Sequence, residues 1–326
     1  MFPVRLAALI LSICFIVLLV QLPTIEAYVT AVKEGNDISV FFSGIKADHP
    51  IVEQIKKEAP KHYIAPVDAR IDPVWKAIPG LNGRKVDLEA TIHRTLKQKD
   101  KNKIQWIYRE IPPDVQLNDL GPAPVYRGNE NKQVAGLMVN VAWGSEYIPE
   151  MLRIFKQEKV KATFFLDGSW LKKNPGMARK LIEEGHEVGN HAYSHPLMSR
   201  IGTGKIEEEI GRTQSLIQET LKVKSKWFAP PAGDYDGRVL KMAEQFEMNT
   251  ILWTLDTEDW KKSVSAEMMV TKVEKGIGPG TLLLTHPTDR TVKALPGIIQ
   301  AGKNKGLKWM TVSEVLSSKR MDLIEQ

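Results

Sequence analysis

The sequence predicts an α/β chain: a distorted (β/α) barrel of about seven parallel strands, preceded by a small α/β N-terminal domain. Three observations predict it. Strand-like and helical runs alternate from about residue 133 to 318. A stretch at 112–132, rich in proline, glycine and asparagine, divides that alternation from an earlier and different pattern. The histidines and aspartates of the later part fall just after strand-like runs, where a βα barrel builds its site.

The elements follow in order. Arg5 precedes an apolar run at 6–22, broken by Ser12 and Gln21. That is the pattern of a secretory signal, with Thr24–Ala27 as the cleavage region, or of an uncleaved anchor, since ~17 apolar residues just reach across a bilayer. Residues 1–27 are therefore a signal peptide or membrane anchor, and the rest is expected outside the cytoplasm, membrane-anchored or secreted. Cys14, the single cysteine, lies in this run, so no internal disulfide and no thiolate zinc site can form.

Residues 28–111 form the small α/β domain. Strand-like runs are expected at 38–42, 64–74 and 104–111, the second interrupted by Pro66 and Pro73. Helices are expected at 49–58, with Pro50 in the first turn, and at 88–97. The stretch 66–91, containing Asn82-Gly83-Arg84, loosely resembles a peptidoglycan-associated module; a plain spacer is the alternative. Residues 112–132 are read as a linker.

In 133–318 the strand-like runs are 135–141, 162–166, 187–190, 227–229, 250–255, 281–284 and 308–311. Helical runs at 147–157, 176–184, 205–221, 237–245, 266–273 and 292–305 lie between them. Such repeats call for parallel strands joined by crossover helices. Asn140, His191, His195, Asp256, Asp259 and His286 fall at strand ends, and 319–326 is a tail. The net charge of +6 is mild and spread along the chain. It suits an anionic wall polymer or lipid headgroups, and no nucleic-acid partner is expected.

The strongest local signal is the run from Gly185 to Pro196, in which His191 and His195 stand four apart. On a helix or turn this spacing places both imidazoles on one side, suited to a divalent metal. The run resembles the metal-binding motif of the polysaccharide deacetylases, the carbohydrate esterase family with the rhizobial chitooligosaccharide deacetylase fold. Other pieces match in order: Val160 to Phe165 as the second strand, Phe228-Ala229-Pro230-Pro231-Ala232-Gly233 as the Arg-Pro-Pro motif, Asp256-Thr257-Glu258-Asp259-Trp260 as the Asp-x-x-Asp-Trp motif, and Leu284-Thr285-His286 as the Leu-x-His motif. The resemblance covers about 133–318, and its flavour is that of the sporulation-type peptidoglycan deacetylases.

The resemblance implies metal-assisted hydrolysis of an N-acetyl amide on an amino-sugar polymer such as peptidoglycan or a chitooligosaccharide. It implies His191 and His195 as ligands of a divalent ion, zinc first. Ala232 N–H, beside Pro231, would stabilise the oxyanion. His286 would be the general acid, oriented by Asp259, and Trp143 and Trp260 would wall the sugar groove.

Three positions depart from the family. Its first motif is Thr-Phe-Asp-Asp, matched here by the stretch from Met138 to Gly144. On that match Asn140 stands for the base aspartate and Val141 for the metal-binding aspartate. Ala229 stands for the arginine that pairs with the base. An amide takes up no proton near neutral pH, and a valine donates no lone pair. Two functions follow: a slow metal-dependent N-deacetylase, or a catalytically silent protein that binds wall glycan in the same groove. The Asp259–His286 pair favours the first, and Asn140, Val141 and Ala229 favour the second.

Overall fold

The computed structural model describes residues 50–98, 100 and 103–321. The apolar run at 6–22, the strand expected at 38–42 and the end of the tail lie outside the described residues. Among the described residues no helix is long and apolar enough to cross a membrane.

Contacts divide the chain into two compact units. The smaller contains the helices Pro50–Glu58 and Leu88–Lys97. Ile51, Val52 and Ile55 from the first helix pack with Ile92 from the second, and with Val86, Trp106 and Tyr108. Asp87 starts the second helix by accepting from Ala90 N.

The larger unit comprises Ala65–Gly83 and Ile111–Met321. The stretch 64–74 is not one strand. Arg70–Asp72 and Lys76–Ile78 form an antiparallel hairpin, because the chain turns at Pro73. The stretch 112–132, read as a linker, is built into this unit. Val125 N donates to Thr250 O, and Leu252 N donates to Val125 O. Gly128 and Gly280 meet backbone to backbone; a Cβ on Gly280, at φ +76°, would lie 2.5 Å from Gly128 O. Gly128 N donates to Gly280 O, and Ala77 N donates to Pro124 O.

The main sheet has eight strands: β1 (Val134–Val141), β2 (Thr163–Leu166), β3 (Glu187–Asn190), β4 (Trp227–Phe228), β5 (Asn249–Thr250), β6 (Leu255–Asp256), β7 (Thr281–Thr285) and β8 (Lys308–Met310). Seven run in the order β6-β7-β1-β2-β3-β4-β5, and β8 pairs with the first half of β1. All these pairings are parallel. Among the described residues no ladder joins β5 to β6, so the sheet is a half-barrel.

The run expected as one strand at 250–255 is split because the chain changes partner within it. Ile251 N donates to Phe228 O on the β4 side, whereas Thr254 N donates to Leu282 O on β7. A short helix, Gly168–Lys173, follows β2 and was not expected. Asp167 caps it by accepting from Trp170 N.

Strand alternation sets the two faces of β1. Ala135, Leu137, Val139 and Val141 pack outward with Ile148, Leu152, Phe155 and Ile298 of the surrounding helices. Val134 and Met138 pack inward with Phe165, Trp227, Leu282 and Leu284. Asn140 and Ala142 continue the inward series and line the cavity described next.

Candidate active site

The C-terminal ends of β1, β2, β3 and β4 stay in register past the last strand residues. Asp167 N donates to Val141 O, His191 N to Leu166 O, and Ala229 N to Asn190 O. Ala142, Asp167, His191 and Ala229 therefore stand in one row across the mouth of the half-barrel. Asp167 is buried, and that burial pushes its carboxyl up, against the bonds from Ser169 and Trp170 and the nearby His195.

His191 is almost fully buried. Its Nδ1 lies 2.6 Å from Ala229 O. A carbonyl only accepts, so Nδ1 carries the proton and donates, and the Nε2 lone pair is left free. Burial pushes its pKa down to about 3; His195 and His286 add to this, and the Ala229 carbonyl opposes it. The ring is neutral at neutral pH.

His195 does not follow on a helix. It is reached through a loop in which Ala192 and His195 have φ of 59° and 58°. The ring centroids of His191 and His195 are 5.1 Å apart. Glu209, itself buried, holds this loop by accepting from Tyr193 N at 2.8 Å, Ser194 N at 2.7 Å and Ser194 Oγ at 2.7 Å. Burial would raise the Glu209 carboxyl, but these bonds outweigh it and hold it below the ordinary range.

His286 ends β7. Its Nδ1 lies 2.7 Å from Asp259 Oδ1, and its backbone N donates to Asp259 Oδ2 at 2.6 Å. Thr291 Oγ1 donates to the same Oδ2 at 2.5 Å, and Arg290 Nη2 donates to Asp259 O at 2.7 Å. Asp259 is fully buried. A carboxylate against Nδ1–H turns Nε2 toward the cavity, and such a carboxylate stabilises the imidazolium when one forms. An imidazole held this way can take up a proton and later deliver it to a leaving amine.

Trp143 stacks on His286, with centroids 5.8 Å apart and planes 7° from parallel. Gly144, at φ +77°, allows it: a Cβ there would fall 2.1 Å from Pro287 O. Trp260 is exposed at the rim.

One cavity of about 330 Å³ joins these parts. Asn140, Trp143, His191, His195, Ala232, Trp260 and His286, all expected at the site, line it; Asp259 and Pro231 stand behind. Ala232 is held at φ 55° just after Pro231. The cavity also exposes Ala142, Trp253 and Asp256, which the sequence reading did not assign a role there. Trp253 was hidden inside the run taken as one strand; its indole packs on Gly233.

The placement of Val141 is corrected. It was expected where the metal-binding aspartate stands, but it belongs to the outward series of β1 and is packed among the helices. The inward positions at this strand end are Asn140 and Ala142. Asn140 Oδ1 is buried and has no hydrogen-bond partner among the described residues. No lysine or arginine lines the cavity, in keeping with alanine at 229.

The donor set also falls short of the expected metal centre. His191 offers a neutral nitrogen and His195 stands beside it. Among the described residues no third His, Cys, Asp or Glu joins them in a group able to hold an ion. Catalytic zinc sites use three protein ligands. The residues present do not fit that three-ligand centre.

A parallel half-barrel with two histidines four apart and a buried Asp–His pair at its C-terminal mouth defines a carbohydrate esterase type of α/β domain. The chain belongs to the polysaccharide deacetylase family. The polysaccharide deacetylase family model matches residues 127–251. The uncharacterised protein YlxY of Bacillus subtilis (strain 168) is 41% identical, over 83% of this chain and 85% of its own length. A peptidoglycan-N-acetylglucosamine deacetylase of Bacillus cereus is 31% identical, over 61% of this chain and 74% of its own. The solved structure of BA3943 from Bacillus anthracis, described as a CE4 family pseudoenzyme, is 42% identical with a TM-score of 0.76; the match covers 85% of this chain and 98% of that one. A mutant of BA3943, described as having restored enzymatic activity, matches with a TM-score of 0.75 at 41% identity, over 83% of this chain and 99% of that one.

Proposed function

We propose that this chain binds an amino-sugar polymer of the cell wall in the cavity, and that its hydrolytic step is silenced at the end of β1. The observation that carries this reading is the inward face of that strand. It ends in Asn140 and Ala142, so no carboxylate from β1 stands beside His191 and His195. Trp143, Trp253 and Trp260 leave aromatic faces for sugar rings. The family likeness to peptidoglycan deacetylases supports the ligand class, and the likeness to a CE4 pseudoenzyme supports the silence.

A second reading is a slow, zinc-dependent N-deacetylase of peptidoglycan. The Asp259–His286 pair favours it, because a binding protein has no evident need for an oriented proton carrier. Acetate release from peptidoglycan and chitooligosaccharides, with and without added zinc, separates the two. The first reading expects glycan binding with no release above background. Metal-dependent release that His286→Ala abolishes would replace it with the second.

A further inference from the structure

We propose that the cavity prefers a cationic amino sugar, a glucosamine-type residue with a free ammonium, over its N-acetylated form. This rests on the glycan-binding reading above and specifies its ligand.

The ionisable side chains lining the cavity are His191, His195, His286 and Asp256. His191 Nδ1 is taken up by Ala229 O at 2.6 Å, and His286 Nδ1 by the buried carboxylate of Asp259 at 2.7 Å. Asp256 is the lining carboxylate. Its Oδ1 accepts from Glu258 N at 2.7 Å, and among the described residues no cation forms an ion pair with it. Lys261 of this loop and Lys272 of the helix Ala266–Gly276 are both held by Glu258 rather than by Asp256. Lys261 Nζ lies 4.9 Å from the Trp260 ring centroid, so among the described residues Trp143 and Trp253 are the lining indoles left without a cation. Two histidines without a third donor do not make a metal centre that would place a divalent charge against a bound amine.

The cavity thus offers one carboxylate, three imidazoles and three indoles, and no lysine or arginine is among its lining residues. Indole faces attract cations, more strongly where water is excluded. A charged hydrogen bond to a carboxylate is roughly twice as strong as a neutral one. An ammonium gains from both groups. An acetamide carries no charge and gains only the stacking.

The test is isothermal titration calorimetry of the full chain after dialysis against chelator, in physiological salt. The probes are a glucosamine tetramer and the N-acetylglucosamine tetramer, at about pH 6, where a sugar amine is largely protonated. The deacetylated tetramer is expected to bind at least about fivefold more tightly. The difference should shrink in Asp256→Asn and vanish in the parent at about pH 9, an arm that needs no variant to fold. Equal or tighter binding of the acetylated tetramer overturns the proposal and leaves the glycan-binding reading standing, as does a preference that Asp256→Asn leaves undiminished. If the folded parent binds neither tetramer, both fall.

Discussion

Asp259 and His286 are joined twice, side chain to side chain at 2.7 Å and carboxylate to backbone amide at 2.6 Å. The second bond ties the carboxylate to the end of β7 whatever the charge of the ring. The first selects the tautomer. Asp259→Asn should keep the fold and loosen that selection, because an amide can also donate to Nδ1. Long-range nitrogen–proton NMR of His286 should show the Nδ1–H form in the parent and a larger Nε2–H share in the variant. Asp259→Ala removes the acceptor of three buried bonds and should destabilise the chain by about 3 kcal/mol in urea. Unchanged tautomer and stability would mean the pair is ornamental.

Two imidazoles without a third donor should bind a zinc-class ion weakly. Titration with zinc or cobalt is expected to show affinity well below that of a three-ligand relative. His191→Ala and His195→Ala should each abolish what remains. Tight binding in the parent, or binding that survives both substitutions, would show that another donor closes on the ion.

His186 lies behind the site, buried between Phe155 and Phe164 with ring centroids 5.3 Å from each. Ala162 N donates to its Nδ1 at 3.1 Å. Burial pushes its pKa down to about 4, and Lys161 adds to this. The folded ring stays neutral while the unfolded one protonates near pH 6.5. Its contribution is therefore whole above about pH 6.5 and is lost as pH falls toward 4, by roughly 3 kcal/mol in all. Urea unfolding at about pH 7 and pH 4.5 should show this slope, and His186→Leu should flatten it. A variant with the parent's slope would place the acid sensitivity elsewhere.

The half-barrel and its histidines were legible because each rests on a short run with one local meaning. His191, His195, Asp259 and His286 sit within a few residues of strand ends, and all four came together. What was missed depends on which way a side chain faces. Val141 matched a motif by count, yet the pleat turns it outward and brings Ala142 in. Trp253 was hidden by a run of β-formers that changes its partner strand between Ile251 and Thr254. The prolines of 112–132 signalled bends, and nothing local showed that Val125 and Gly128 would bond to the barrel.

The apolar run at 6–22 should carry the rest of the chain across the cytoplasmic membrane. Protease treatment of intact protoplasts is expected to digest the deacetylase-type domain. Full protection until the membrane is dissolved would place the domain in the cytoplasm.

Both inward positions at the end of β1 are candidates for the missing base, and they make different demands. A carboxylate at 140 would replace an amide whose Oδ1 already lacks a partner in a nearly closed site. Its pKa should rise, because Ala229 supplies no cation to hold it charged. A carboxylate at 142 would stand one step further out, level with Asp167 and His191 but at a position that is itself only half-buried. A positioned base is worth ~10²–10⁴-fold in rate. Asn140→Asp should therefore raise acetate release modestly, at or below the low end of that range. Ala142→Asp should raise it more, with zinc supplied. Ala229→Arg alone should help little, but added to the more active carboxylate variant it should raise the rate beyond the product of the separate effects, since a buried arginine and a buried carboxylate relieve each other's cost. If Asn140→Asp is the faster of the two, the base belongs at the deeper position. If neither variant releases acetate from any acetylated glycan while folded and supplied with zinc, the silence of this site does not lie at the end of β1.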